Sequence, residues 1–299
     1  KVANGLYTIC VEDYMRWQYE YALLDDNVEK YERYFGNYQD IDLYAGQPTT
    51  DWFNQVFGHI GKVFNHDLTV TGGSDKFRYS VTYAGIRSNE IMLASEYKRD
   101  NLSLKLDHKA GEKVDLSFSV RYSDMEILGA GATDQGGATP NDARVKQTML
   151  FVPIPFNSVG DFDDTDLAAS MTNPLDNVRD NDRQQLRKRF NLGGTFSWEI
   201  ADGLVFRSEA GLDNYVNNDD RFYGMTTYYV RNTPTADYQN KPALESHERK
   251  GTGFRSTNTL NYDFENIFGD SGHTLRLLAG QEVFIGKSIT VFNQGWGFR

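Results

Sequence analysis

Residues 113–123 read Lys-Val-Asp-Leu-Ser-Phe-Ser-Val-Arg-Tyr-Ser, apolar and polar side chains in unbroken alternation. Successive strand side chains point to opposite faces. Val114, Leu116, Phe118, Val120 and Tyr122 therefore share one face, and Asp115, Ser117, Ser119, Arg121 and Ser123 share the other. The stretch is a strand with one greasy side and one wet side. Before it, Leu102, Leu104 and Leu106 alternate with Asn101, Ser103, Lys105 and Asp107, and Lys109-Ala110-Gly111-Glu112 turns the chain between the two.

The same pattern recurs along the chain. A strand at 64–71 meets the turn Gly72-Gly73-Ser74-Asp75, and its return sets Phe77, Tyr79, Val81 and Tyr83 against Lys76, Arg78, Ser80 and Thr82. Residues 188–200 and the strand from Leu204 are joined by Ala201-Asp202-Gly203. Phe254, Leu260 and Tyr262 mark one more strand, and Leu275, Leu277 and Val283 the last, with a modest turn at 265–272. An extended piece at 1–9 brings the expected count to about nine. Tight Gly-, Asn- and Asp-rich connections of this kind are hairpin turns.

The other connections are longer. Residues 10–62 hold helical stretches at 11–24 and 28–35, and a short helix opened by Asp51 at 51–57. A medium loop covers 88–97, and long loops cover 127–183 and 218–245. Short and long connections thus alternate. Antiparallel neighbours joined this way gather short turns at one end and long loops at the other. The expected fold is all-β, a transmembrane antiparallel β-barrel with long extracellular loops carrying short helices. Phe77, Trp198 and Phe206 near the short turns, and Tyr83 and Tyr122 nearer the long loops, fit two aromatic girdles. Strands favour aromatics anyway.

Bulk properties narrow the rest. Mean hydropathy is −0.59, and no apolar run approaches the roughly 18 residues a membrane helix needs. A barrel escapes that test because its strands carry only alternate apolar residues. The net charge of −11 argues against nucleic acid, which calls for a basic stripe. A single cysteine, Cys10, excludes an internal disulfide framework. Lys1-Val2-Ala3-Asn4-Gly5 has no apolar signal region, and the ends read as those of an internal piece of a longer protein.

No catalytic constellation stands out, so no enzyme is expected. The five histidines are scattered without a His-x-x-x-His pair, and no Gly-x-Ser-x-Gly elbow occurs. Residues 129–137 are glycine-rich but lack the Gly-Lys-Ser/Thr of a phosphate loop. Asp161, Asp163, Asp164 and Asp166 are the metal candidates, spaced for Ca²⁺ yet without an EF-hand's glycine or closing glutamate. A solvated acidic loop explains them as well. No other cofactor is expected. Residues 127–183 hold nine Asp against four Lys or Arg, which discourages anionic ligands there. Rings cluster at Tyr14, Trp17, Tyr19 and Tyr21, at Tyr31, Tyr34, Phe35 and Tyr38, and at Tyr223, Tyr228 and Tyr229. They suit loop packing, a protein partner or stacking on a ligand. Trp17, Tyr21, Tyr223, Tyr228 and Tyr229 are the ligand or partner candidates. Lys76, Arg78, Lys105, Arg121, Arg189, Arg207, Glu199 and Glu209 fall on the wet side, as wall residues of a water-filled channel would.

Several segments together resemble the SusC/RagA-type TonB-dependent transporters of the Bacteroidetes outer membrane. They are Thr50-Asp51-Trp52-Phe53-Asn54-Gln55-Val56-Phe57, the stretch 65–80 from Asn65-His66-Asp67 through Gly72-Gly73-Ser74-Asp75-Lys76, and the strand 101–107. Pro153-Ile154-Pro155, Gly160-Asp161-Phe162, Asn173-Pro174-Leu175 and Gly203-Leu204-Val205-Phe206-Arg207 follow in the family's order. The resemblance implies a plugged barrel of about 22 strands, of which this chain would hold part of the wall. It implies TonB-driven import of oligosaccharides or oligopeptides across the outer membrane, with a SusD-like surface lipoprotein as lid. Neither a plug domain nor the TonB-contacting segment is visible in these residues, so TonB would be met through a missing N-terminal part. A passive porin-like barrel, or a sugar-binding β-protein or enzyme, either soluble or in the outer membrane, are the rival readings.

Overall fold

A computed structural model describes residues 9–129, 145, 148, 149, 151–153, 173–231, 233, 235–265 and 273–297. Eight strands form a single antiparallel sheet in chain order. They are β1 (Lys62–Gly73), β2 (Phe77–Asn89), β3 (Glu96–Lys109), β4 (Val114–Leu128), β5 (Asn181–Ala201), β6 (Leu204–Tyr223), β7 (Ala243–Glu265) and β8 (Thr274–Trp296). The extended piece expected at 1–9, and with it a ninth strand, lies outside the described residues. So does nearly all of the turn between β7 and β8.

Register keeps the alternation in phase across the sheet. Leu68, Tyr83, Leu102, Tyr122 and Phe190 fall in one cross-strand row, and Val70, Val81, Leu104, Val120, Leu192, Leu212 and Phe254 in another. A one-residue slip would turn every one of these side chains to the wet face. Among the described residues no layer covers the apolar face: Leu68 is 64% exposed, Leu102 48% and Phe254 41%. An apolar surface of this extent needs an apolar surrounding.

The hairpin turns step along the ladder. From the row through Leu68, Leu102, Asn214 and Thr252, five residues lead to Gly73, seven to Lys109, ten to Leu204 and thirteen to Glu265. Turns held at one membrane surface then require tilted strands. A stagger of about 1.3 residues per strand, with a ~3.3 Å rise and ~4.8 Å strand spacing, gives a tilt of roughly 40°, inside the range of closed barrels. Gly203 at φ +76 shows how tightly a turn is made, since a Cβ there would lie 2.5 Å from the Asp263 carbonyl oxygen.

The buried core lies elsewhere, at the long-loop end. α1 (Val11–Leu24) packs on α2 (Val28–Phe35) and a 3-10 turn (Tyr38–Tyr44), burying Val11, Tyr14, Met15, Tyr31 and Phe35. α3 (Trp52–Phe57) buries Trp52 against Phe151 and Val152. Asp51 caps α3 by accepting from the Asn54 N–H at 2.9 Å, as expected from its position.

Loop bounds differ from the sequence reading at two places. β6 runs on to Tyr223 and β7 begins at Ala243, where a loop was expected over 218–245. The medium loop at 88–97 shrinks to 90–95 between β2 and β3. Above the apolar band both faces of a strand meet water. Asn217, Asn218, Asp219, Asp220 and Arg221 therefore pair in a ladder with Arg249, Glu248, His247, Ser246 and Glu245 without any apolar alternation to announce it.

Candidate functional site

The wet face bears the chemistry. Arg78, Lys105, Arg121, Arg189, Glu199, Arg207 and Glu209 all take the register opposite to the apolar rows, as expected, and Lys76 immediately precedes β2. Near the short turns these groups are neutralised. Lys105 lies 3.1 Å from Asp107, which also accepts from the Ser117 hydroxyl at 2.7 Å. Arg207 pairs with Glu209, Arg255 with Glu282 at 2.9 Å, and Arg276 with Asp263 at 2.6 Å. A hollow of about 430 Å³ opens there among Lys76, Arg78, Asp107, Asp115 and Arg207. Such pairs in water are each worth about 0–1 kcal/mol. Their effect is to keep this end of the wall polar and near neutral.

At the long-loop end the rings divide into buried and exposed sets. Tyr223 is 0% and Tyr229 3% exposed, stacked at 3.9 Å and 12°. Trp296 stacks on Tyr229, and Tyr238 on Trp296. Both Tyr223 and Tyr229 hydroxyls donate to Glu245, at 2.9 and 2.6 Å. Burial and the Glu245 carboxylate raise the Tyr229 phenol pKa above its ordinary value, so it stays a donor. Tyr228 is also buried, and its backbone N–H donates to the Asn177 side chain at 3.1 Å. These three tyrosines thus stitch loops 224–242 and 173–180 to the strand tops. The clustering of rings was their one sequence signal, and Glu245, Gln294 and Trp296, which complete the cluster, gave none.

Trp17 and Tyr21 stand apart from that cluster. They are 55% and 58% exposed on α1, with ring centroids 6.4 Å apart. With Leu24, 87% exposed, they follow i, i+4, i+7 spacing and make one apolar stripe. Tyr14, one turn away, is instead buried against Phe35. Asp161, Asp163, Asp164 and Asp166 lie outside the described residues. Among the described residues no group of His, Cys, Asp and Glu is arranged to hold a metal.

No protein-family model matches the chain. Over 240 residues it is 21% identical to TonB-dependent receptor P3 of Formosa agariphila, covering 79% of this chain and 22% of that protein. Its fold matches the RagAB peptide transporter with a TM-score of 0.66 at 17% identity, over 97% of this chain and 34% of the other. The RagAB peptide importer gives 0.65 in its closed-closed state and 0.63 in its open-open state. The chain spans about a fifth of the curated relative and about a third of the RagAB chain. The open edges of the sheet fit that partial coverage. The apolar face is the lipid-facing side, the wet face is the lumen wall, and the chain has the fold of a barrel-wall section of a SusC/RagA-like TonB-dependent transporter.

Proposed function

We propose that the protein to which this wall belongs imports oligosaccharides or oligopeptides actively across the bacterial outer membrane. The observation that carries this is the pairing of an uncovered apolar face with a charged, hydrated one along eight strands whose turns and loops gather at opposite ends. A wall of this kind does no covalent chemistry. It encloses a polar path and holds the loops that close it.

TonB supplies the driving force in this reading, acting through a segment that these residues do not include. A SusD-like surface lipoprotein caps the long-loop end. The exposed Trp17, Tyr21 and Leu24 stripe on α1 supports such a contact, because a lid needs apolar anchors at the rim. In the same reading, calcium held by Asp161, Asp163, Asp164 and Asp166 would rigidify the acidic loop.

The test is uptake of labelled oligomers by cells expressing the whole protein, with and without TonB. Import that stops when TonB is deleted is the expected result. Import that continues at the same rate would mean a passive pore.

A further inference from the structure

The lumen wall carries its cations in two ways. Near the short turns they sit beside acids. Farther up, below the Arg183–Asp219 pair at 2.6 Å, five of them do not. Arg99, Arg187 and Arg249 lie in one inward row on β3, β5 and β7. Arg189 lies in the next inward row and Arg121 in the one after. Across these three rows of β3–β7 one acid occurs, Asp213, and the Asn191 side chain already donates to it.

None of the five arginines has an ion pair among the described residues, although eleven other cations do. Arg187 donates only to the Gln185 amide, and Arg249 lies 6.0 Å from the Tyr215 ring centroid. The Arg99 Nε is buried without any hydrogen bond. Arg187 and Arg189 are roughly 7 Å apart along one strand, and neighbouring strands add ~4.8 Å each. Like charges this close destabilise a sheet unless an anion joins them. In a chain of net charge −11, a cationic field of this size is a local exception.

Its height matters. On β4 the lipid-facing apolar run ends at Tyr122, beside Arg121, and the other arginines lie level with or above that edge. The field therefore faces the outer mouth of the lumen. Guanidinium forks bind carboxylate and sulfate in a planar, bidentate manner, and a focused positive field raises the local concentration of anions.

We propose that this arginine field binds the carboxylate or sulfate groups of an acidic oligosaccharide as it enters. The proposal deepens the import reading and rests on it. Sugar rather than peptide is favoured by what lies between the arginines. Asn101, Asn191, Asn217, Ser103 and Ser123 offer amides and hydroxyls, Tyr215 offers a ring, and Met125 is the one aliphatic side chain. That surface suits sugar hydroxyls and gives peptide side chains no apolar pocket.

The experiment uses the whole protein purified in detergent and calorimetric titration with four probes. These are a galacturonate hexamer, a sulfated galactose hexamer, a neutral galactose hexamer and a hexaglutamate peptide. Arg187→Gln with Arg189→Gln, in a barrel that keeps its heat-modifiable gel mobility, is expected to weaken binding of at least one acidic sugar tenfold or more. Raising the salt should weaken it too, and the neutral hexamer should bind far more weakly throughout. Equal affinity in the variant and wild type, equal affinity for the neutral hexamer, or binding of hexaglutamate alone each overturns the proposal. TonB-dependent uptake of neutral hexamer that the double substitution leaves intact would do so while preserving the import reading.

Discussion

The Trp52 indole N–H donates to the Val152 carbonyl at 2.8 Å, joining residues one hundred positions apart. Phe151 meets the same indole edge-on at 5.1 Å, and the Thr50 N–H donates to the Pro153 carbonyl at 2.7 Å. The first long loop thus clamps residues 151–153 of the second. Trp52→Phe keeps most of the ring contact but leaves the Val152 carbonyl unpaired, at about 1–3 kcal/mol. Trp52→Ala also empties the site, at about 3–5 kcal/mol. Hydrogen exchange should show residues 50–57 losing protection in that order, while β1–β8 keep theirs.

That clamp also marks the limit of what the residues announce. Asp51 before an apolar run is a visible helix start, and α3 forms there. Its partner at Val152 lies in a segment with no periodicity, so nothing local points to it. The lipid-facing strands were legible because water on one side and hydrocarbon on the other impose period two. Once β6 and β7 rise past the membrane, both faces are wet and that signal vanishes, although the ladder of Asp219 with His247 and Arg221 with Glu245 continues. Rings at 223–229 read equally well as ligand platform or packing. Only the register, which brings Glu245 beneath two of them, shows how they are used.

The helical cap should respond to alkali. Burial pushes the Tyr14 and Tyr31 phenols up to about 12. A phenol whose folded pKa lies above its unfolded value near 10 contributes stability that is fully present below ~10 and lost as pH rises towards 12. Phenolate absorbance should therefore show these two titrating late. The α1–α2 layer should loosen between those limits before the strands do. Tyr14→Phe is expected to remove its share of the pH dependence.

A pair of neighbouring substitutions tests which face meets lipid. Leu104 sits mid-row on the apolar face, opposite Val81 and Val120, and Ser103 points to the lumen between Thr82 and Arg121. Leu104→Arg places a cation in hydrocarbon and should cost about 2–4 kcal/mol. Ser103→Arg stays in water and adds only a like-charge repulsion opposite Arg121, less than about 1 kcal/mol. Urea unfolding in lipid vesicles measures both. Equal penalties would refute the assignment of faces.

Gly224 follows β6 where the chain doubles back beneath Asp180. A Cβ at Gly224 would lie 1.9 Å from the Asp180 Oδ1. That carboxylate accepts from the Thr226 N–H at 2.9 Å and from its hydroxyl at 2.7 Å. Gly224→Ala must therefore push the carboxylate off both donors. A loss of about 1–3 kcal/mol is expected for the broken contacts, read as faster proteolysis of 224–242. Asp180→Gly in the same background relieves the clash and should recover part of the difference.

Polar side chains also lie on the lipid face. Ser208 pairs with Asn258, and Asn258 with Gln281, in one row across β6, β7 and β8. The row sits between Phe206 and Leu260 on one side and Leu212 and Phe254 on the other, in the middle of the apolar band. Hydrocarbon offers these amides no partner, and an uncompensated polar group costs about 1–3 kcal/mol. In detergent-isolated protein, Asn258→Leu and Gln281→Leu should each raise the thermal midpoint, because each removes that cost and adds apolar surface where lipid tails lie. The same substitutions assayed in native outer membranes separate two situations. A further gain in stability means that lipid covers the row. A loss there, against a gain in detergent, means that a polar partner in the membrane satisfies the row and is displaced by leucine.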